Sequence, residues 1–231
     1  ASDIVREIDS LSDSVRDSAG DVRGKIRLTA PRTFSDAPIG QSLIDFVKEH
    51  PDITLDIHLD DRFVDLVEEG YDLAIRITRL EDSSMIARRL APFSLSICAS
   101  PEFLEKHGRP EKPQDLAKLP CIIDTNGRWL TNWPFMRENG EMFSVPVTGP
   151  LEANSPLTAR AAAIAGLGFA PLPDFIAEPA LASGELVPVL QEWLPRGGGI
   201  FAVYPHRRYL PAKIRVFVDF LAQWFKQREQ S

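Results

Sequence analysis

The chain has 231 residues, 44% of them hydrophobic, and a formal net charge of −7. That suffices for a packed core in one large domain or two small ones. The acidic balance excludes a free-standing nucleic-acid binder, which would carry a basic face. Two cysteines, Cys98 and Cys121, are too few for a disulfide framework. Both lie in apolar runs, as buried reduced thiols do. No run of 18 apolar residues marks a membrane span, and no signal-peptide pattern precedes the first apolar segments. With Ala1 in first place, the chain is expected to be processed or a piece of something longer.

Ala1 to Ala19 places Ile4, Ile8, Leu11 and Val15 at spacings of four, three and four among Asp and Ser. This is a narrow apolar seam on a helix over about two heptads. Two readings stand: a helix paired with a second chain through those four residues, or one packed on its own domain. Gly20 ends it. The period then changes. Ile26 and Leu28 alternate with charged neighbours as in a strand. Ile39, Leu43, Phe46 and Val47 share one helical face. Ile53, Leu55, Ile57 and Leu59 alternate with polar residues, a strand with one wet face. Phe63, Leu66 and Val67 predict a short helix ended by Gly70. Leu73 to Ile77 is a buried strand carrying one arginine, Arg76, and Leu95, Ile97 and Ala99 mark another. Strands alternating with helices predict an α/β fold with a largely parallel sheet.

After Ser100, Pro101 suits the first turn of a helix. The middle is turn-rich, with Pro110, Pro113, Pro120, Pro134, Pro146, Pro150 and Pro156. Ile122–Ile123 and Phe143–Thr148 read as short strands. Ser155 to Ala165 is an Ala-rich helix capped by Asn154 or Ser155, and Phe169 to Leu172 enters a strand. Ile200 to Tyr204 is a strand leaving through Pro205. The last helix is the clearest, with Ile214, Phe217, Val218, Leu221 and Phe225 at i, i+3, i+4, i+7 and i+11.

The stretch YDLAIRITRLEDSSMIARRLAP, Tyr71 to Pro92, resembles a signature of the effector-binding domain of LysR-type transcriptional regulators. Three further segments resemble the same family in the same order: SICASPEFLEKHGRPEKPQDLAKLPCI (Ser96 to Ile122), ARAAAIAGLGFAPLPDFI (Ala159 to Ile176) and LPAKIRVFVDFLAQ (Leu210 to Gln223). The chain departs from the pattern at Thr78, where the family often has Gly, and in the loop Ala30 to Gly40. The resemblance implies two Rossmann-like α/β subdomains joined by two crossing strands, like a type 2 periplasmic binding protein. Subdomain one would be 24–99 plus 206–231 and subdomain two 100–205, with residues 1–23 a partial linker and dimerisation helix. It further implies a cytoplasmic homodimer or homotetramer with a small-molecule effector in the inter-subdomain cleft. DNA would be reached only through a winged helix-turn-helix that lies upstream and is absent from this chain.

Such a cleft is lined by strand C-termini and helix N-termini, which suit carboxylate or phosphate. On this basis Arg32, Thr33, Phe34 and Ser35 are effector-binding candidates, or else a capped surface helix. Arg76 reads as an anion clamp or as the partner of Asp72 or Asp82. Ser100, at the expected hinge, offers a hydroxyl. Thr125 and Asn126 offer donors from the opposite wall. Asn154 and Ser155 are helix caps that are also able to face a ligand. Phe169 is core or ligand wall. Trp129 and Trp133 stack a ring or pack a loop. No cofactor, metal or catalytic set is expected. His50, His58, His107 and His206 lack metal spacing, no nucleophile elbow occurs, and Gly166-Leu167-Gly168 follows a helix, the wrong order for a dinucleotide loop. Two alternatives remain. One is a solute-binding protein of a transporter, which a full gene with a signal peptide would reveal. The other is an enzyme on the same fold, which turnover would reveal.

Overall fold

The computed structural model describes residues 22–36, 38–62, 64–78, 86–126, 129–205 and 210–228. The proposed dimerisation helix with Ile4, Ile8, Leu11 and Val15 lies outside them. In chain order the first elements are β1 (Gly24–Ala30), α1 (Arg32–Asp36), α2 (Gln41–Glu49), β2 (Ile53–Leu59), β3 (Leu73–Thr78), β4 (Ile86–Phe93), β5 (Leu95–Ala99) and α3 (Pro101–His107). There follow β6 (Pro120–Asp124), β7 (Asn132–Met136), β8 (Met142–Pro146), β9 (Thr148–Ala153), α4 (Pro156–Ile164), β10 (Ala170–Pro173), α5 (Asp174–Ala182), β11 (Val187–Val189), β12 (Gly198–Tyr204) and α6 (Ala212–Arg228).

The chain folds into two compact units. One takes the chain up to Pro31, Gly40–Pro92 and the chain from Gly199 on; the other takes Arg32–Ile39 and Phe93–Gly198. These bounds differ from the division expected at residues 99/100 and 205/206. The reason is strand pairing. β5 pairs with β10 and β11 of the second unit, whereas β12 lies antiparallel to β3 in the first. Ser100-Pro101 is a helix start.

In the first unit a five-stranded sheet runs β2-β1-β3-β12-β4. β1 is parallel to β2 and to β3. Ile26, Leu28, Leu73 and Ile75 are buried in its core. α2 meets α6, where Phe46 sits edge-on to Phe217 at 4.8 Å and to Phe220 at 5.3 Å. Trp224 Nε1 donates to Asp45 Oδ2 at 3.0 Å across the same contact. All five apolar positions predicted for the last helix are buried.

Two local expectations change in this unit, and one strand was not expected. Leu66–Gly70 forms turns rather than a helix. The Asp65 carboxylate there accepts from the backbone N–H groups of Val67 and Glu68, competing with a helical ladder. β2 buries only Ile53 fully, and Ile57 and Leu59 are exposed because it is an edge strand. Ile86–Phe93, with two arginines in its first half, is the strand β4. Its Arg88 pairs with Asp219 of α6, so the charges that mask the strand in the sequence have an outward partner.

In the second unit β10-β5-β11 is an antiparallel sheet, and β6 is parallel to β9. Phe169 N–H donates to Pro120 O at 3.0 Å and Ile122 N–H to Phe169 O at 2.7 Å, so β6 abuts the start of β10. The sheets of the molecule are therefore mixed rather than largely parallel. Side chains alternate between two cores: Ile97, Ala99, Cys121, Ile123 and Phe169 in one, and Cys98, Ile122, Ala170 and Leu172 in the other. The predicted strand Phe143–Thr148 is two strands, β8 and β9, divided at Val147, whose N–H donates to Thr131 O.

β9 presses so closely on β6 that a Cβ at Gly149 would lie 1.7 Å from the Cys121 carbonyl oxygen. At Gly168, where φ is +158°, a Cβ would lie 2.5 Å from Pro120 O. Gly149→Ala is expected to cost ~1–3 kcal/mol or more, as overpacking does, read as a lower urea midpoint. An unchanged midpoint would mean that β9 does not lie on β6 in this way.

Candidate functional site

Most of the expected residues that meet in the second unit do so at one end of its sheet. β6 and β9 are parallel and finish in register, Asp124 opposite Ala153. Their loops leave side by side. Thr125 N–H donates to Ala153 O at 2.9 Å, and Asn126 Nδ2 donates to Asn154 O at 2.6 Å. Asn126 N–H donates to Asp124 Oδ1 at 2.9 Å, fixing the turn. Thr125, Asn126 and Asn154 are exposed. Ser155 caps α4, its Oγ accepting from Thr158 N–H at 3.3 Å with Pro156 in the first turn. Of the two caps weighed from the sequence, Ser155 makes the bond. α1 packs against α4, with Arg32 exposed and Thr33 and Phe34 buried. Ser35 lies in α1 as well. Strand C-termini, a helix N-terminus and hydroxyl and amide groups thus converge, an arrangement that supplies hydrogen-bond donors to an acceptor-bearing ligand.

Two candidates lie elsewhere. Ser100 caps α3, accepting from Phe103 N–H at 3.3 Å, and is 5% exposed. A Cβ at Gly166 would lie 3.6 Å from its Oγ, so it stands at the C-terminal end of α4. That is about 13 Å, one nine-residue helix length, from Ser155. β5 runs antiparallel to β10, which carries its last residue away from the Thr125 end. Phe169 is fully buried and edge-on to Phe103 at 5.2 Å, the core role of the two weighed. Trp133 is buried in the same core, whereas Trp129 is exposed.

At the same sheet end as Thr125, β5 begins and β10 finishes, Leu95 opposite Pro173. There Ser94 and Ser96 Oγ both donate to the Asp174 carboxylate, the latter at 2.8 Å. Sequence reasoning missed this group. Its signal was Leu172-Pro173-Asp174, an acidic residue in the first turn of a helix straight after a strand.

Arg76 belongs to the first unit and is 9% exposed. Its guanidinium donates to Ile75 O at 3.1 Å and Arg62 O at 3.4 Å. Asp72, one of its two expected partners, instead accepts from Arg27 N–H at 2.9 Å; Asp82, the other, lies outside the described residues. Burial pushes the Arg76 pKa down, and the nearby Asp60, Asp61 and Tyr71 oppose that shift without cancelling it. Among the described residues no group of three or more His, Cys, Asp or Glu is placed to hold a metal ion. No described helix is long and apolar enough to cross a membrane.

The LysR substrate-binding-domain family matches residues 19–226. The chain belongs to this family. It is similar to the transcriptional regulator PtxR of Pseudomonas aeruginosa, 34% identical over 217 residues, 94% of this chain and 69% of that protein. It is 33% identical over 229 residues to the transcriptional activator TtdR of Escherichia coli strain K12, 99% of this chain and 73% of the activator. The full-length Vibrio cholerae virulence activator AphB superposes with a TM-score of 0.78 at 26% identity, covering 96% of this chain and 76% of AphB. The AphB regulatory domain of Vibrio vulnificus superposes with a TM-score of 0.70 at 27% identity, covering 87% of this chain and 98% of that domain. The LysR-type chain accordingly has the type 2 periplasmic-binding-protein-like fold and is the effector-binding domain of a transcriptional regulator. These relatives are regulators, and none supports the transporter reading.

Ser155→Ala is expected to cost about 1 kcal/mol by loss of the cap, with Ser155→Asp restoring it, measured by chemical denaturation. Burial pushes both thiols up to about 12, aided at Cys98 by the Asp174 charge. A thiol reagent at pH 8 should therefore leave the folded LysR domain unmodified and titrate both cysteines once urea unfolds it; fast labelling of the native protein would contradict their burial.

Proposed function

We propose that this domain senses a small molecule through the second-unit wall made by Arg32, Thr33, Phe34, Ser35, Thr125, Asn126, Asn154 and Ser155. The observation that carries the reading is the bonded pair of loops after β6 and β9 at the start of α4, with exposed hydroxyl and amide groups. The ligand class is one with carboxylate or carbonyl acceptors. It acts in the cytoplasm, without catalysis, and shifts a homodimer or homotetramer by binding one of its states more tightly. That bias passes through linker helices to upstream DNA-binding domains, whose spacing a paired operator reads. Ser100 and Phe169 are left out of the wall because one caps a distant helix end and the other is core.

A thermal-shift panel of small carboxylates, aromatic acids, amino acids and sugars tests this. A ligand at 100 times its Kd adds about 2.7 kcal/mol, a rise of roughly 2–4 °C per kcal/mol for a chain of this size. Thr125→Trp changes an exposed position, so it should fold normally and lose the shift. A hit that survives Thr125→Trp would move the ligand away from this wall. Silence across the panel would favour a ligand-independent oligomerisation domain.

A further inference from the structure

Of the chain's four asparagines, Asn126 and Asn139 each precede a glycine. A glycine has no side chain to shield its backbone nitrogen, so an asparagine before it is open to attack on its own side-chain amide. The two asparagines sit in unlike surroundings. Asn139 and Gly140 lie at the exposed turn of the β7–β8 hairpin, which is no part of the wall proposed above.

Three features of that turn favour the attack. Gly140 has φ +82°, and a Cβ there would meet nothing within 4 Å, so a ring has room to close. The Glu141 backbone N–H donates to Asn139 Oδ1 at 3.0 Å. It therefore already faces the oxygen on which negative charge develops when Cγ becomes tetrahedral. The Gly140 N–H donates to Arg137 O at 2.9 Å. That bond must open first, which costs little at an exposed hairpin tip. Asn126 is held instead. Its Nδ2 donates to Asn154 O at 2.6 Å and its N–H to Asp124 Oδ1 at 2.9 Å. Swinging its side chain onto the following nitrogen would break the bond to Asn154.

We propose that Asn139 is a self-modification site, where the Gly140 nitrogen converts the asparagine to aspartate and isoaspartate through a cyclic imide. The Gly140 nitrogen loses its proton to hydroxide and bonds to Asn139 Cγ. The Cγ–Nδ2 bond breaks, and the nitrogen takes a proton from water and leaves as ammonia. One water then opens the imide. Entry at the side-chain carbonyl leaves aspartate, and entry at the main-chain carbonyl leaves isoaspartate with one more carbon in the turn. Either product adds a negative charge beside Glu138 and Glu141. It then competes with Glu141 for Arg137, whose Nη1 donates to Glu141 Oε2 at 2.6 Å. Trp133, Phe135 and Val145 fix the hairpin in the core, so the altered chains stay folded as a more acidic population. The site stands independently of the ligand-binding reading, and failure of one leaves the other intact.

The test is peptide mapping by mass spectrometry after the full chain has stood at pH 7 to 9, folded or in urea. In the folded protein the Asn139 peptide should gain the mass of an amide-to-acid exchange ahead of the Asn126 peptide. Its rate should rise with pH, and both aspartate and isoaspartate should form. In urea the lead over Asn126 should disappear. Asn139→Gln, which keeps the amide but disfavours the five-membered ring, should remove the first acidic species seen on ion exchange. A folded protein whose Asn139 stays intact while Asn126 converts overturns the site. So does equal conversion of the two asparagines in the folded protein, since the turn would then confer nothing. Aspartate without isoaspartate would exclude the imide and overturn the mechanism.

Discussion

The position of β6 governs the second unit. Two backbones crowd it, β9 at Gly149 and the start of β10 at Gly168, each closer than any side chain would allow. This contact sets where β6 and β9 finish, and so sets where Thr125, Asn126, Asn154 and Ser155 emerge. It also sorts the strand's side chains, Cys121 and Ile123 to one core and Ile122 to the other. The two cysteines consequently fall into different cores, on opposite faces of the sheet, where thiol pairing is closed to them and burial holds them protonated. Their role is packing.

The same end of that sheet has two electrostatic characters. The start of α4 offers backbone donors and a positive dipole end, while Asp174, tied to Ser94 and Ser96, places a carboxylate at the end of β10. A ligand lying across both would carry an acceptor toward Ser155 and a donor toward Asp174. A hydroxy acid or an amino acid has both, whereas a simple dianion would be opposed by Asp174. This narrows the chemical class further than the helix terminus alone.

Legibility in the sequence followed the constancy of each element's surroundings. α6 keeps one dry and one wet face over 17 residues, so its period announced it. β9, TGPLEA, reads as a loop, because its glycine serves close approach and its proline and glutamate face outward at an edge. β4 was masked by Arg88 and Arg89, which suit a strand at the sheet edge. The expected subdomain boundary at Ser100 differs from the unit bound at Pro92 for a related reason. A proline after a serine marks a helix start as readily as an extended crossing, and Ser100 proved to be a cap. Thr125, Asn126, Asn154 and Ser155, four residues of the proposed wall, stood out because caps and strand-end loops use recognisable residue types. Ser94, Ser96 and Asp174 did not, since their meeting depends on β5 running against β10 across nearly eighty residues of chain.

Arg76 shows how a local rule broken in sequence points to a constraint in the fold. A charge inside LAIRI costs desolvation that its surroundings do not fully offset, as the downward push on its pKa records. The orphan hydroxyl of Thr29 on the same face adds a second local cost. Packing alone would be served better by apolar residues at both places, as at Leu28 and Ile75 on the opposite face.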